Sequence, residues 1–336
     1  MLNAPLSPEK AGSPEKVGSP EKVGSPEPSG IFGHDLSLPE MAMGLLDMLV
    51  LEVRDRRLGD ALTDLGDVLA PQELAGIYQM VASMVTEEAR IRVARLAPQW
   101  NQFTHRGGAE FSRQMLFAGA VLYRSAFKAD KRAAMVCFTS RRNGLFMANC
   151  RFLDMLGQYP VDVVILTSDD GTFGTWNLGG AGSFFASLAL LKSTLAARGI
   201  YPGTYVGASA GGGPAAFAAM LDGKASAILI GGRFYWPGRK IPLAQAGPAF
   251  DPLCACWQGP RPPIHNIFGA GMRIDVENNA RLLALVPEAQ TNPIPQDDKH
   301  NPMATLAARQ KLRAVIDLIA QAASGKTVNF DLVRTL

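Results

Sequence analysis

The residues most able to do chemistry lie at Gly207-Ala208-Ser209-Ala210-Gly211, a Gly-x-Ser-x-Gly pattern. Before it, Gly203–Val206 reads as a short buried strand, and after it Pro214–Leu221 reads as a small-residue helix. A serine on a sharp strand-to-helix turn is held in a strained conformation with its hydroxyl in a cleft. The glycines are needed because side chains there would collide with the flanking strand and helix. The start of the helix aims unpaired N–H groups and its positive dipole end at any anion forming beside the serine. A serine hydroxyl is a weak nucleophile until a neighbouring base takes its proton. Imidazole, which titrates near neutrality, is the usual base, and the chain has four histidines: His34, His105, His265 and His300.

The surrounding pattern alternates strand and helix. Ala133–Thr139, Val161–Thr167, Ala225–Ile230, Ile264–Phe268 and Ala289–Ile294 read as strands. Asn149–Leu156, Gly182–Ala197 and a closing amphipathic Met303–Ala323 read as helices, while Met115–Tyr123 fits either a strand or a helix end. Strands that are apolar throughout and separated by helices predict a mostly parallel sheet covered on both faces, an α/β domain over 109–336. Active sites in such sheets lie beyond the carboxyl ends of the strands, which is where Ser209 falls. Asp169–Gly182 could cradle a phosphate, but it lacks the Gly-Lys-Ser/Thr ending of a P-loop, so a wall on the substrate side of the cleft is expected. Arg233–Pro263, rich in proline and carrying Trp236 and Trp257, is expected to cap the site.

Two segments precede that domain. Residues 1–34 hold hexad repeats, SPEKAG, SPEKVG, SPEKVG and SPEPSG over residues 7–30, with almost nothing to bury, so a disordered tail is predicted. Residues 35–108 read as helical: Met41–Val53 is apolar, Leu62, Leu65, Val68 and Leu69 recur at helical spacing, and Ile77, Met80, Val81, Met84 and Val85 form one stripe. That stripe is a face for the main domain or for a second copy of the chain, so a homo-oligomer could form through it. Pro71 and Pro98 punctuate the helices, and Gly107-Gly108 reads as a hinge.

Composition narrows the function classes. The 336 residues are 47% hydrophobic with a net charge of +3 and no basic cluster with interleaved aromatics, which argues against nucleic-acid binding. Four cysteines (Cys137, Cys150, Cys254 and Cys256) without zinc spacing argue against a metal site and a disulfide framework. The first residues lack the basic start and apolar run of a signal peptide, and no apolar stretch is long enough to span a bilayer. A cytoplasmic protein without cofactor or metal is expected.

Over roughly residues 130–323, the strand–helix order and the elbow at Gly207–Gly211 resemble the α/β-hydrolase superfamily. The chain also resembles hydrolase-like proteins found beside bacterial polysaccharide and glycosyltransferase genes. That likeness lies in the strand Met135–Ser140, a G-x-S-A-G-G elbow and the late His300-Asn301 pair. The superfamily resemblance implies the order Ser, acid, His, with the acid after the second strand past the elbow and the histidine after the last strand. Those positions match Ser209, Asp275 and His300. Asp251 and Glu277 stay open as the acid, and Asp275 could be only a helix N-cap. His265, before or early in its strand, is the rival base. The resemblance also implies an oxyanion hole of two N–H donors: Ala210, and Ser140 or Arg141 from the loop after Thr139. That loop reads Thr139-Ser140-Arg141-Arg142-Asn143-Gly144, with no His-Gly-Gly-Gly run, a departure from lipase patterns.

The resemblance implies a serine hydrolase cleaving an ester or thioester in a small-molecule or carbohydrate-linked acyl substrate, an acyl group on a carbohydrate being one form. The alternative is a non-catalytic adaptor on the same fold, working through the repeat tail and helical region.

Overall fold

The structure is a computed structural model, and it describes residues 36–50, 55–96, 110–127, 132–140, 144–168, 178–233 and 261–335. The repeat tail, Gly107-Gly108, Arg141, the 169–177 stretch and 234–260, with Trp236, Asp251 and Trp257, lie outside the described residues.

Among the described residues, four helices come first: α1 (Leu38–Val50), α2 (Asp55–Val68), α3 (Pro71–Met84) and α4 (Glu87–Leu96). Pro71 opens α3, where a missing N–H costs nothing. Met41, Leu45, Leu62, Leu65, Ile77 and Val81 from three of these helices bury one another in a shared apolar cluster. The predicted stripe is only partly inward, since Met84 is 59% exposed.

The helices also dock on the sheet. Tyr123 Oη donates to the Val68 carbonyl at 2.7 Å, and Asn149 Nδ2 donates to the Asp67 carbonyl at 2.9 Å. Arg113 pairs with Glu73 at 3.1 Å, and the Gln72 side-chain amide donates to the Phe111 carbonyl. Cys150 is buried among the α1–α4 side chains rather than in the sheet core.

The remaining elements are β1 (Phe111–Phe117), β2 (Ala120–Ser125), β3 (Arg132–Phe138), α5 (Asn149–Leu156), β4 (Val161–Leu166), α6 (Phe184–Ala196) and β5 (Ile200–Ala208). They continue with α7 (Gly212–Asp222), β6 (Ser226–Ile230), β7 (Ile264–Gly269), α8 (Arg273–Leu285), β8 (Gln290–Ile294), α9 (Pro302–Ala308), α10 (Leu312–Ala323) and α11 (Asp331–Arg334). One eight-stranded sheet runs β1-β2-β4-β3-β5-β6-β7-β8. β1 and β2 form an antiparallel hairpin, β2 pairs antiparallel with β4, and every pairing beyond that is parallel.

Each strand feeds two cores by alternation. On β3, Met135 and Cys137 face the side covered by α5 and α10, while Ala134, Val136 and Phe138 face the side of α6 and α7. The small-residue character of α7 lets it lie close on the sheet, with Ala215, Ala216, Ala218 and Ala219 fully buried. α10 presents Val315, Ile316 and Ile319 to the opposite core.

Two expectations change. The Met115–Tyr123 stretch is neither a single strand nor a helix end: it spans the end of β1, a tight turn at Ala118-Gly119 and the start of β2. The closing helix is broken at Arg309–Lys311, where Gln310 takes a φ of 57° and α9 gives way to α10. Neither glycine nor proline marks that break in the sequence.

Candidate functional site

Ser209 follows β5 directly, at the carboxyl end of the parallel strands, in a tight turn (Ser209–Gly211) that runs into α7. Its φ is 50°, a left-handed conformation that is strained for a residue with a side chain. The turn fits only because its neighbours lack side chains. A Cβ on Gly207 would stand 2.3 Å from the Gly211 carbonyl oxygen, and one on Gly211 would stand 2.2 Å from the Phe138 carbonyl oxygen. The Arg233 N–H donates to the Ser209 carbonyl at 2.8 Å, tying the segment after β6 to the elbow.

His300 lies in the loop between β8 and α9, and its Nε2 is 2.7 Å from Ser209 Oγ. Its Nδ1 is 2.6 Å from Asp275 Oδ1. For Ser209 to donate to Nε2, Nδ1 must carry the ring proton and donate to the carboxylate. Asp275 is buried, 1% exposed, and its Oδ2 has no hydrogen-bond partner among the described residues. It is the third residue of α8, whose N-cap is Met272, so Asp275 is not the cap that its type suggested. Its place in the first helical turn still suits a negative charge.

The loops after β7 and β8 are locked together behind His300. The buried Asp297 accepts from Thr305 Oγ1 at 2.8 Å and from the Lys299 N–H at 3.2 Å, while its carbonyl accepts from the Gly271 N–H at 2.8 Å. Asn301 caps α9 by accepting from the Ala304 N–H at 3.1 Å, and its Nδ2 donates to the Phe146 carbonyl at 3.4 Å. Phe146 meets the His300 ring edge-on, with centroids 5.3 Å apart. Asp297 and Phe146 have no sequence signature. Asp297 sits in a polar run that reads as surface, and Phe146 lies in a loop.

The rivals fall elsewhere. His265 pairs with Ile228, which pairs with Val206, so it lies in a row of the sheet short of the carboxyl ends. It is buried against Phe330, with centroids 5.1 Å apart, and burial lowers its pKa. Glu277 is 59% exposed and paired with Arg273 at 2.7 Å, away from the histidine. Asp251 lies outside the described residues.

The Ala210 N–H is at the start of a helical turn, where amides have no carbonyl one turn back to accept them. Ser140 is different: its N–H donates to the Gly144 carbonyl at 2.9 Å. That bond closes the loop on itself and removes the Ser140 amide as an oxyanion donor. Among the described residues, no group of three or more His, Cys, Asp or Glu is placed to hold a metal ion, and no helix is long and apolar enough to cross a membrane.

An eight-stranded sheet in this order, with a serine elbow after β5, an aspartate after β7 and a histidine after β8, decides the fold. It is the fold of the α/β-hydrolase superfamily. No family model matches the chain, and no curated protein matches it in sequence. Among solved structures, it is similar to 2,6-dihydroxy-pseudo-oxynicotine hydrolase at 14% identity, over 88% of this chain and 92% of that one, with a TM-score of 0.47. A hyperthermophilic esterase from Pyrobaculum calidifontis is similar at 15% identity, over 75% and 97% of the two chains, with a TM-score of 0.47. A thermostable esterase from Pseudomonas putida is similar at 12% identity, over 84% and 94%, with a TM-score of 0.47.

Proposed function

We propose that this α/β-hydrolase-fold chain is a serine hydrolase that cleaves an ester or thioester through an acyl-enzyme. The observation that supports this most strongly is the 2.7 Å contact between Ser209 Oγ and His300 Nε2 at the carboxyl end of the sheet. Ser209 Oγ attacks the carbonyl carbon as His300 Nε2 takes its proton. Asp275, accepting from Nδ1–H, fixes the tautomer and stabilises the imidazolium. His300 then gives the proton to the leaving oxygen or sulfur, the acyl group stays on Ser209, and a water repeats the sequence to release the acid. Amide donors at Ala210 and in the Arg141 segment stabilise the oxyanion of each tetrahedral intermediate. The likeness to polysaccharide-linked hydrolases suggests an acyl group carried on a carbohydrate as one substrate form.

The test is hydrolysis of short-chain aryl esters by the wild type, Ser209→Ala, His300→Ala, the double variant and Asp275→Asn. Groups acting as a unit give Ser209→Ala and His300→Ala similar losses, on the order of 10⁴-fold or more, with the double variant little worse and Asp275→Asn milder. An inert wild type, or a Ser209→Ala variant with undiminished turnover, would favour the non-catalytic adaptor reading.

A further inference from the structure

A cavity of about 240 Å³ opens between the N-terminal ends of α5 and α9. Phe146, Met147, Met303, Ala307 and Leu312 line it with apolar side chains, and among the described residues Arg151 is the one charged side chain on its wall. Phe146 is a wall shared with the site, because the same ring meets His300 edge-on. That wall is built rather than incidental. Phe146 holds a φ of 65°, an outlier for a bulky residue, and its carbonyl is anchored by Asn301 Nδ2 at 3.4 Å. Beneath it, Asp67 Oδ1 accepts from the first N–H of α5, on Asn149, at 3.2 Å.

Arg151 is oddly placed for a structural residue. It lies in the first turn of α5, where the helix dipole disfavours a positive charge. It is partly exposed, and no carboxylate pairs with it among the described residues. A guanidinium without a carboxylate partner among the described residues, on the wall of a cavity lined largely by apolar side chains, suits the anionic tip of an otherwise apolar chain, since its fork matches carboxylate and phosphate alike.

The direction of proton transfer says which part of the substrate goes there. His300 returns its proton to the leaving group, so the leaving alcohol must sit on the His300 side of the scissile bond. Building on the serine-hydrolase reading, we propose that this cavity receives the leaving-group arm of the substrate, and that the arm is a hydrocarbon chain ending in an anion held by Arg151. At ~30 Å³ for a water-sized group, the cavity takes about eight non-hydrogen atoms.

The test compares kcat/KM for four acetate esters: ethyl acetate, hexyl acetate, 6-acetoxyhexanoate and 6-acetoxyhexyl phosphate. The wild type prefers hexyl over ethyl, and prefers one or both anionic esters over hexyl by about tenfold or more, the scale of one charge-assisted pair. The two anionic arms distinguish carboxylate from phosphate. In Arg151→Gln the anionic-to-hexyl ratio falls toward one while the hexyl-to-ethyl ratio persists. In Ala307→Phe, which fills the cavity, the hexyl-to-ethyl ratio collapses. Equal kcat/KM for all four esters, or ratios unchanged in both variants, would overturn the cavity assignment and leave the hydrolase reading standing. If no ester is turned over, the hydrolase reading fails, and a thermal shift with 6-hydroxyhexanoate decides the cavity. A shift in the wild type that is lost in Arg151→Gln supports it, and no shift rejects it.

Discussion

The backbone of Gly231 lies against the ring of His300. A methyl group built on Gly231 would stand 3.3 Å from His300 Cε1, 3.5 Å from Nδ1 and 3.6 Å from Asp275 Oδ2. Gly231 also holds a φ of 54°, and its N–H donates to the Ile267 carbonyl at 2.7 Å, so the contact is pinned to the sheet. It seats the imidazole between its carboxylate and the serine.

Gly231→Ala therefore meets two obstacles, a left-handed backbone and a crowded imidazole. The backbone term is about 1–2 kcal/mol of stability. The displaced ring is expected to lower kcat for a short ester by about tenfold or more, since small misplacements of catalytic groups are costly. Rate and thermal unfolding are measured together. A variant that loses stability but keeps its rate would show that Gly231 does not position His300.

Asp67 carries a pH-dependent cost. Burial raises its pKa from 3.8 to about 7, outweighing the opposing hydrogen bond from the Asn149 N–H, and nearby Asp64 adds to the rise. Below pH 3.8 the carboxyl is neutral in folded and unfolded chains alike. Between 3.8 and about 7 the unfolded chain ionises first, so stability falls as pH rises through that window. Asp67→Asn keeps an oxygen acceptor for Asn149 and removes the charge. It is expected to stabilise the protein at pH 8 by an amount on the order of a few kcal/mol, and by much less at pH 4.5. A gain independent of pH would contradict this account.

Tyr123 tests the docking of the helical layer. Burial pushes its phenol pKa up, so the hydroxyl stays a donor to the Val68 carbonyl. Tyr123→Phe leaves that buried carbonyl without its donor, at a cost of about 1–3 kcal/mol. Proteolytic nicking within residues 38–96 is expected to rise before cleavage of the sheet. Unchanged stability and an unchanged cleavage pattern would mean that the layer is held by its other contacts alone.

The parts that sequence made legible are those fixed by local pattern. β3, β4 and β6 are apolar but for one residue each, Arg132, Asp162 and Ser226, and the helix at Asn149–Leu156 matches α5 end to end. Ser209, Asp275 and His300 are legible from their order along the chain, which the hydrolase resemblance implies and which follows the strand ends. What was not legible depends on contacts between distant segments. The β1–β2 turn is too short to interrupt the apolar pattern, and the α9–α10 break falls on Gln310, a residue with no turn signature. Asp297 reads as one of several loop charges until the fold buries it beneath Thr305. The self-closing bond from Ser140 to Gly144 has no trace in residue types.

The central claim is that Ser209 is a nucleophile activated by His300, and covalent labelling tests it most directly. The protein is incubated with a fluorophosphonate probe, its intact mass is measured, and the labelled peptide is mapped. The account predicts one adduct per chain, on the peptide that carries Ser209, absent in Ser209→Ala and greatly slowed in His300→Ala. No adduct on the folded wild type, or an adduct that persists in Ser209→Ala, would contradict it.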